Sequence, residues 1–179
     1  FTVDTTVPAA PVLTGPADGS TITDDTPTIT GTGEAGAEVE VSMDGAVIGT
    51  TTVTPEGTWT LGTTDELSDG DHTVSAVQTD AAGNVSPADS NTFTVDSTAD
   101  PAPVIEEPES GSATNDTTPA ISGTGTPGST VTVTTTDGLE LGTAPVTGGG
   151  DWSFDSVELA DGSYTITATQ EDTPGNTSP

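Results

Sequence analysis

Residues 72–87 read HTVSAVQTDAAGNVSP, and residues 164–179 read YTITATQEDTPGNTSP. In the second stretch Tyr164, Ile166 and Ala168 alternate with threonines. A period of two turns one set of side chains toward a core and the other toward water, which predicts a half-buried strand. Val39-Glu40-Val41-Ser42-Met43 and Val131-Thr132-Val133 follow the same rule. The many threonines are β-branched and favour the pleated backbone. Between these runs lie turn signals: Asp18-Gly19, Asp44-Gly45, Pro55-Glu56-Gly57, Asp69-Gly70 and Ala82-Gly83-Asn84. No apolar stripe at helical spacing accompanies them.

The duplication extends outward from these stretches. Phe1-Thr2-Val3-Asp4 returns as Phe93-Thr94-Val95-Asp96, and Ala10-Pro11-Val12 as Ala102-Pro103-Val104. Gly31-Thr32-Gly33 returns as Gly123-Thr124-Gly125, again 92 residues on. Trp59 and Trp152 stand 93 apart, which marks one inserted residue. A period this long is a whole domain, because each copy can bury its own core. Short strands separated by turns over roughly 90 residues predict an all-β chain of two antiparallel β-sandwiches in a linear array.

The expected sandwiches span residues 4–95 and 96–179, with residues 1–3 as the last strand of a preceding unit. Pro179 matches Pro87, so the second sandwich is expected to lack the counterpart of its last strand. In the first unit, strands are expected near 11–14, 27–31, 38–43, 46–53, 58–62, 72–79 and 91–95. The expected core holds Val12, Ile29, Val39, Val41, Val53, Trp59, Leu61, Val74, Ala76, Phe93 and Val95. The second unit should use Val104, Ile121, Val131, Val133, Trp152, Phe154, Ile166 and Ala168. Each Trp is followed two residues later by another apolar residue, Leu61 or Phe154, which is core spacing rather than an exposed sugar-stacking platform.

Composition removes several functions. The 179 residues include 29 Asp and Glu, no Lys, no Arg and one His, for a formal net charge of -29. Without side-chain cations the chain is not expected to bind nucleic acid, since phosphate neutralisation takes Lys or Arg. Docking by charge on an anionic membrane is removed for the same reason. No run reaches ~18 apolar residues, so no direct membrane insertion is expected. The absence of Cys excludes disulfides and thiolate metal sites. The start at FTVD, with neither signal peptide nor initiator Met, is expected of a fragment of something longer.

His72 is the only imidazole, and a Ser/His/Asp set would have to use it. It aligns with Tyr164 at the start of a strand where sandwiches place a corner tyrosine, so it reads as a structural corner residue. Paired glycosidase carboxylates would need a concave cleft that small sandwiches scarcely offer. No enzymatic activity is expected.

Taken in order, TVDTTVPAAP, TDDTPTITGTGEAGAEVEV, GTWTL and LSDGDHTVSAVQTDAAGNVSP resemble the bacterial Ig-like modules of giant secreted adhesins and biofilm-associated proteins. The second unit carries the same set over essentially its whole length. The resemblance implies Ig-like sandwiches that act as beads on an extracellular arm, with neighbouring repeats of the same chain as partners. It also implies Ca²⁺ at the junctions between beads, held by acidic linker and loop residues.

In a sandwich of this topology Asp172 and Asn176 should sit beside the linker residues Asp96 and Asp100. Asp24 and Asp25 of the first unit should lie at its opposite pole, toward that same linker. Asp4, Asp80 and Asn84 form the analogous set at the start of the chain, and Asp116 is the second unit's residue near the Asp24-Asp25 position. Ca²⁺ takes 6–8 oxygen ligands, which suits such a cluster. The plainer alternative makes the same residues turn formers and caps. EDTPGN in place of TDAAGN is a departure expected to alter the loop. The function expected on these grounds is a spacer supporting cell adhesion or biofilm formation at the bacterial surface. The alternatives are a glycan-, ice- or protein-binding module, or an accessory domain of a secreted hydrolase. The missing last strand is expected of a cut through a chain that continues; the alternative is head-to-tail self-association in which Phe1–Val3 of a neighbouring molecule supplies that strand.

Overall fold

The structure is a computed structural model that describes residues 2–63 and 65–179. The chain divides into unit 1, ending at Ser97, and unit 2, Thr98–Pro179. Among the described residues each contains β-strands joined by turns and loops, and no helix.

Unit 1 has two facing sheets. One orders β1 (Val12–Gly15), β3 (Thr28–Thr32) and β6 (Thr58–Gly62) as β1-β3-β6. The other contains β2 (Ser20–Ile22), β4 (Glu38–Met43), β5 (Ala46–Thr52), β7 (Gly70–Thr79) and β8 (Asp89–Val95), in the order β2-β8-β7-β4-β5. Between them lie Ile29, Val39, Val41, Val53, Trp59, Val74, Ala76, Phe93 and Val95, all buried. Leu61 is partly buried against them. Seven strands fall where alternation and turn chemistry put them. The additional strand, β2, pairs parallel to β8. It has only three residues, too short for a period to register, and it forms because the chain leaves the first sheet after Gly15 and joins the second.

One expected core position in each unit is wrong by a single residue. Val12 is 54% exposed and Val104 is 56% exposed; Leu13 is buried instead, and Ile105 partly so. Leu13 pairs with buried Gly31, whereas Val12 pairs with exposed Thr32. Val12-Leu13 and Val104-Ile105 are adjacent apolar pairs, so hydrophobicity could not choose the face.

Unit 2 repeats the plan with fewer strands. One sheet orders β13 (Asp151–Asp155), β10 (Ala120–Thr124) and β9 (Val104–Glu107) as β13-β10-β9. The other orders β12 (Glu140–Pro145), β11 (Thr130–Thr135) and β14 (Ile166–Glu171) as β12-β11-β14. Ile121, Val131, Val133 and Trp152 are buried as expected, joined by Leu141, Ala144 and Val146. Phe154, Ile166 and Ala168 are only partly buried. For Ile166 and Ala168 the reason is the edge position of β14, which pairs with β11 but has no strand pairing on its other side among the described residues. In unit 1 the equivalent strand β7 is flanked by both β4 and β8 and buries Val74 and Ala76.

The Gly-Thr-Gly motif has a packing reason in both units. A Cβ at Gly31 would overlap the Trp59 ring and the Val12 carbonyl, and one at Gly123 would overlap Trp152 and the Val104 carbonyl. A Cβ at Gly33 or Gly125 would meet Oε1 of Gln78 or Gln170. The first glycine admits the indole and the second admits a buried amide.

That amide is a clamp. Gln78 Oε1 accepts from the Glu34 N–H at 2.9 Å, while its Nε2 donates to the Ala9 carbonyl at 2.7 Å. Its backbone N–H donates to Ser86 Oγ at 2.9 Å. Gln170 does the same with the Thr126 N–H at 3.0 Å, the Pro101 carbonyl at 2.7 Å and Ser178 Oγ at 2.9 Å. Each clamp ties the segment before the first strand of its unit to the end of the penultimate-strand position. Gln78→Ala should destabilise unit 1 by about 2–4 kcal/mol, from lost packing and two orphaned backbone groups. Gln78→Glu, which keeps the shape but sets an oxygen against the Ala9 carbonyl, should cost a comparable amount. Urea unfolding followed by Trp59 fluorescence, in a Trp152→Phe background, measures unit 1 alone.

Candidate functional site

Every sequence-selected acidic residue lies at one end or the other of its sandwich. In unit 1, β7 runs antiparallel to β4 and ends beside Glu38, so the loop after Thr79 caps the pole where β4 begins. Asp80 Oδ1 accepts from the Ala82 and Asn84 N–H groups, both at 2.9 Å, and Oδ2 accepts from Asn84 Nδ2 at 2.8 Å. Asn84 Nδ2 also reaches the Asp4 carbonyl at 3.3 Å, placing Asp4 at this pole. The Asn84 side-chain and backbone donors hold the Asp80 carboxyl below its ordinary value against a small opposing effect of desolvation.

The opposite pole of unit 1 gathers Asp24, Asp25 and Asp96. Ile22 pairs with Val95 in parallel, and the Asp96 N–H donates to the Ile22 carbonyl at 2.9 Å. Asp24 Oδ1 accepts from the Thr26 N–H at 2.9 Å, a side-chain turn. The Asp25 carbonyl accepts from the Leu67 N–H at 2.8 Å. Asp69, which sequence reasoning used only as a turn signal, belongs here too: its Oδ1 accepts from the Ser97 N–H and Oγ, both at 2.8 Å.

Unit 2 shows the same division. Asp172 Oδ1 accepts from the Gly175 N–H at 2.9 Å and the Asn176 N–H at 2.7 Å; Oδ2 accepts from Asn176 Nδ2 at 3.0 Å. Desolvation pushes this carboxyl up, but the Asn176 and Gly175 donors outweigh it and the net shift is downward. Asp100 Oδ2 accepts from Ser129 Oγ at 2.9 Å. Because Thr130 pairs with Glu171, that bond sets Asp100 at the Asp172 pole. Asp116 lies at the other pole, where its Oδ1 takes the Thr118 N–H at 2.9 Å.

The EDTPGN loop changes less than its sequence suggests. Both loops close with the same backbone bonds, Asp80 to Asn84 and Asp172 to Asn176, at 3.1 Å. Pro174 stands where Ala82 donates in unit 1 and has no N–H to give; Gly175 supplies the second donor instead.

The carboxylates of Asp24, Asp80, Asp116 and Asp172 therefore do turn work within their own units, and that of Asp100 takes a serine hydroxyl. An ionised carboxylate accepts at about four lone-pair positions, so two or three amide donors leave part of its capacity open. Among the described residues, no three His, Cys, Asp or Glu side chains form a ready-made metal cage. Cation binding here would draw on backbone carbonyls, Asn oxygens and water alongside the carboxylates.

His72 is the corner residue its alignment implied. Its Nε2 lies 2.7 Å from the Ser68 carbonyl, four residues upstream, and Tyr164 Oη donates to the Ala160 carbonyl at 3.0 Å over the same spacing. The ring also packs against Phe93, with centroids 5.9 Å apart. A carbonyl only accepts, so Nε2 carries a proton, and Nδ1 faces Asp44 Oδ2 at 2.7 Å. Both nitrogens face acceptors, which suits the imidazolium and leaves neither free to deprotonate a serine. The Ser68 bond raises the His72 pKa above its ordinary value; desolvation opposes this, and Asp44 and then Asp71 add to the rise. Desolvation likewise raises Asp44, but the Thr73 N–H and His72 more than compensate and its pKa is lowered. Asp44 has φ 51° and sits in a tight turn with Gly45.

The profile of the bacterial Ig-like domain matches residues 8–97 and 107–179. The chain belongs to that family. No curated protein sequence matches this bacterial Ig-like chain. Among solved structures it is similar to fibronectin(III)-like modules of CbhA from Clostridium thermocellum, at 18% identity and TM-score 0.60, covering 94% of this chain and 89% of that one. That likeness is one of fold. It is also similar to a tetra-tandem repeat in the extending region of a large adhesion protein, at 30% identity and TM-score 0.38, covering 94% of this chain and 47% of that one. A third likeness is to a structure from a 1.5-MDa bacterial ice-binding adhesin, at 25% identity and TM-score 0.48, covering 96% and 62%. The Ig-like chain thus spans less than two thirds of either adhesin structure.

The His72 geometry gives a pH dependence with a definite sign. A folded-state pKa raised above the ordinary 6.5 contributes stability that is fully present below that pH. The contribution is lost as pH rises through the folded value. Between pH 6 and 9, where carboxylates do not titrate, unit 1 should lose stability with rising pH, and His72→Tyr should flatten that slope. Asp44→Asn should cost about 1 kcal/mol at pH 6, discounted because the Asp44 carboxylate is half exposed. Thermal melts of the three proteins across this range check both outcomes.

Proposed function

We propose that this chain is a non-enzymatic extender segment of an extracellular bacterial adhesin, supporting cell adhesion or biofilm formation. Its work is reach: two self-contained sandwiches in tandem, with Ca²⁺ bound through acidic loop and linker residues to stiffen the array. The observation that carries this reading is the sorting of acidic loops to the poles of each sandwich. In unit 1, Asp4 and Asp80 take one end and Asp24, Asp25 and Asp96 the other. In unit 2, Asp100 and Asp172 take one end and Asp116 the other. The strands between carry the core, and the buried indoles and the occupied His72 ring leave chemistry little to use there. The motif resemblance supplies the bacterial surface setting and the neighbouring Ig-like repeats as partners.

Carboxylates collected at a pole repel one another in the absence of a cation. A divalent ion that binds only the folded state stabilises it by mass action. Addition of Ca²⁺ to the metal-free chain should raise the melting temperature and lengthen and stiffen the particle measured by small-angle X-ray scattering. The midpoint should fall near ~0.1–1 mM, the range of extracellular modules. Monovalent salt should give only a gradual rise through screening. Equal responses to Mg²⁺ and Ca²⁺ at matched ionic strength would mean diffuse screening, and identical curves with and without EDTA would overturn the calcium reading.

A further inference from the structure

The five-stranded sheet of unit 1 ends at β5, which pairs with β4 on one side and, among the described residues, with no strand on the other. The backbone groups on that open side follow from one hydrogen bond. The Val53 N–H donates to the Ala37 carbonyl at 2.9 Å, so Val53 turns its backbone toward the β4 side. Successive residues of a strand turn their backbone groups to opposite sides, and in an antiparallel pair bonded and unbonded partners alternate. Thr52 and Thr50, opposite Glu38 and Glu40, therefore aim their N–H and C=O groups away from β4. Both threonines are exposed.

Open edges are normally blunted by a charge, a proline or a very short strand. The second repeat does this and the first does not. At the offset of 93 set by Trp59 and Trp152, Val47 corresponds to Glu140 and Thr52 to Pro145, the two ends of β12, which forms the same edge in its own sheet. Pro145 has no N–H to offer where Thr52 offers one. β5 runs from Ala46 to Thr52 with neither a charge nor a proline. Its register shift, between Gly49 and Val47, recurs in β12 and lies outside the Thr50–Thr52 stretch. The acids of unit 1 stand one strand further in: Glu38 and Glu40 are exposed on β4, where β11 has Thr130 and Thr132. On the inner side, a Cβ at Gly49 would meet the partly buried Leu61 side chain.

We propose that the β5 edge of unit 1 binds, by strand addition, an extended segment of a partner protein that carries Lys or Arg at alternate positions. The outward backbone groups of Thr50 and Thr52 supply the ladder bonds, as in other edge-addition complexes. Basic residues of the added strand fall in line with Thr50 and Glu40, and with Thr52 and Glu38. Strands lie ~4.8 Å apart, so a Lys or Arg stem laid across the small threonine brings its charge to the carboxylate beyond. The intervening residues turn to the Leu61 side and are apolar. Charge selects this occupant over a second copy: the chain, at -29 with no Lys or Arg, repels itself and has no basic strand to donate.

The probe is the capped peptide Lys-Val-Lys-Val-Lys-Val, titrated into the 179-residue chain and followed by amide NMR. The expected result is saturable binding with shifts centred on β5 and slowed hydrogen exchange at the Thr50 and Thr52 amides. The same peptide N-methylated at its lysines keeps its charge but cannot pair, and should bind no more than weakly; Glu-Val-Glu-Val-Glu-Val should not bind. Thr52→Pro, which gives β5 the residue of its own repeat, should weaken binding roughly tenfold through one lost backbone bond, with the melting of unit 1 retained. Glu38→Gln combined with Glu40→Gln should weaken binding and flatten its salt dependence. Should Thr52→Pro unfold unit 1, the methylated peptide and the glutamine pair decide without it. Equal binding of the methylated and unmethylated peptides, or shifts spread over both units, would mean diffuse adhesion to a polyanion and overturn the proposal. Affinity indifferent to a folded Thr52→Pro chain would overturn it too. Dimerisation of the chain alone, abolished by Thr52→Pro, would make a second copy the occupant and equally overturn it.

Discussion

With twenty-nine carboxylates and no lysine or arginine, the acids of this fold that are bonded at all are bonded mainly to amide and hydroxyl donors of its own backbone, serines and threonines. Asp18 takes the Thr92 N–H at 2.8 Å, Asp71 takes Thr94 Oγ1 at 2.7 Å, and Asp89 takes the Leu13 N–H at 2.8 Å, linking one sheet to the other. The sole potential cation, His72, is spent on Asp44 and a backbone carbonyl. Surface ion pairs are worth little in general, so doing without them costs a sandwich of this kind little stability. What the arrangement does impose is position. A carboxylate that needs unpaired N–H groups finds them at turns and strand ends, and those lie at the poles.

This constraint explains how structural and functional readings of the same residues coexist. Asp80 and Asp172 were candidates because they recur in the loop after the long strand, and they recur there because each organises a turn around its own Asn and Gly. Turn formation and the proposed ion binding would draw on one feature, an ionised carboxylate fixed at a strand end. The amide donors that shape the loop also keep the group ionised and pre-positioned.

Much of the architecture was legible because each signal was local. Strict alternation in Val39–Met43 and Ile166–Ala168, Gly at the turns, and tryptophans at matching positions do not depend on distant contacts. What escaped was set by tertiary partners. Val12-Leu13 offers two apolar neighbours, and only the Gly31 pairing decides which turns inward. β2 exists because β8 lies beside it, and its counterpart in unit 2, without such a neighbour, forms no strand. Gln78 and Gln170 sat in plain view as polar residues at an inward parity of the same strand in both copies. Polarity disguised them as surface, although a 92-residue coincidence of a buried amide with a glycine that makes room for it was a usable signal. At the acidic loops, sequence located the residues at their poles but not their bonding, since Asx-type turns leave no trace beyond composition.

The glutamine clamp has a bearing on how a pull travels through such a chain. Tension arriving along the N-terminal segment of unit 1 meets the Gln78 amide at Ala9 before it reaches the pairing of β1 with β3. The load passes sideways into β7, which is bonded along its length to β4 and β8. Strands held on both flanks yield by shear, breaking many bonds together, whereas a lone β1 would peel from β3 one bond at a time. Gln170 gives unit 2 the same detour through Pro101 into β14, a strand held on one flank. The amide thus moves the weak point of each sandwich away from its first strand and onto a strand paired within its sheet, β7 in unit 1 and β14 in unit 2.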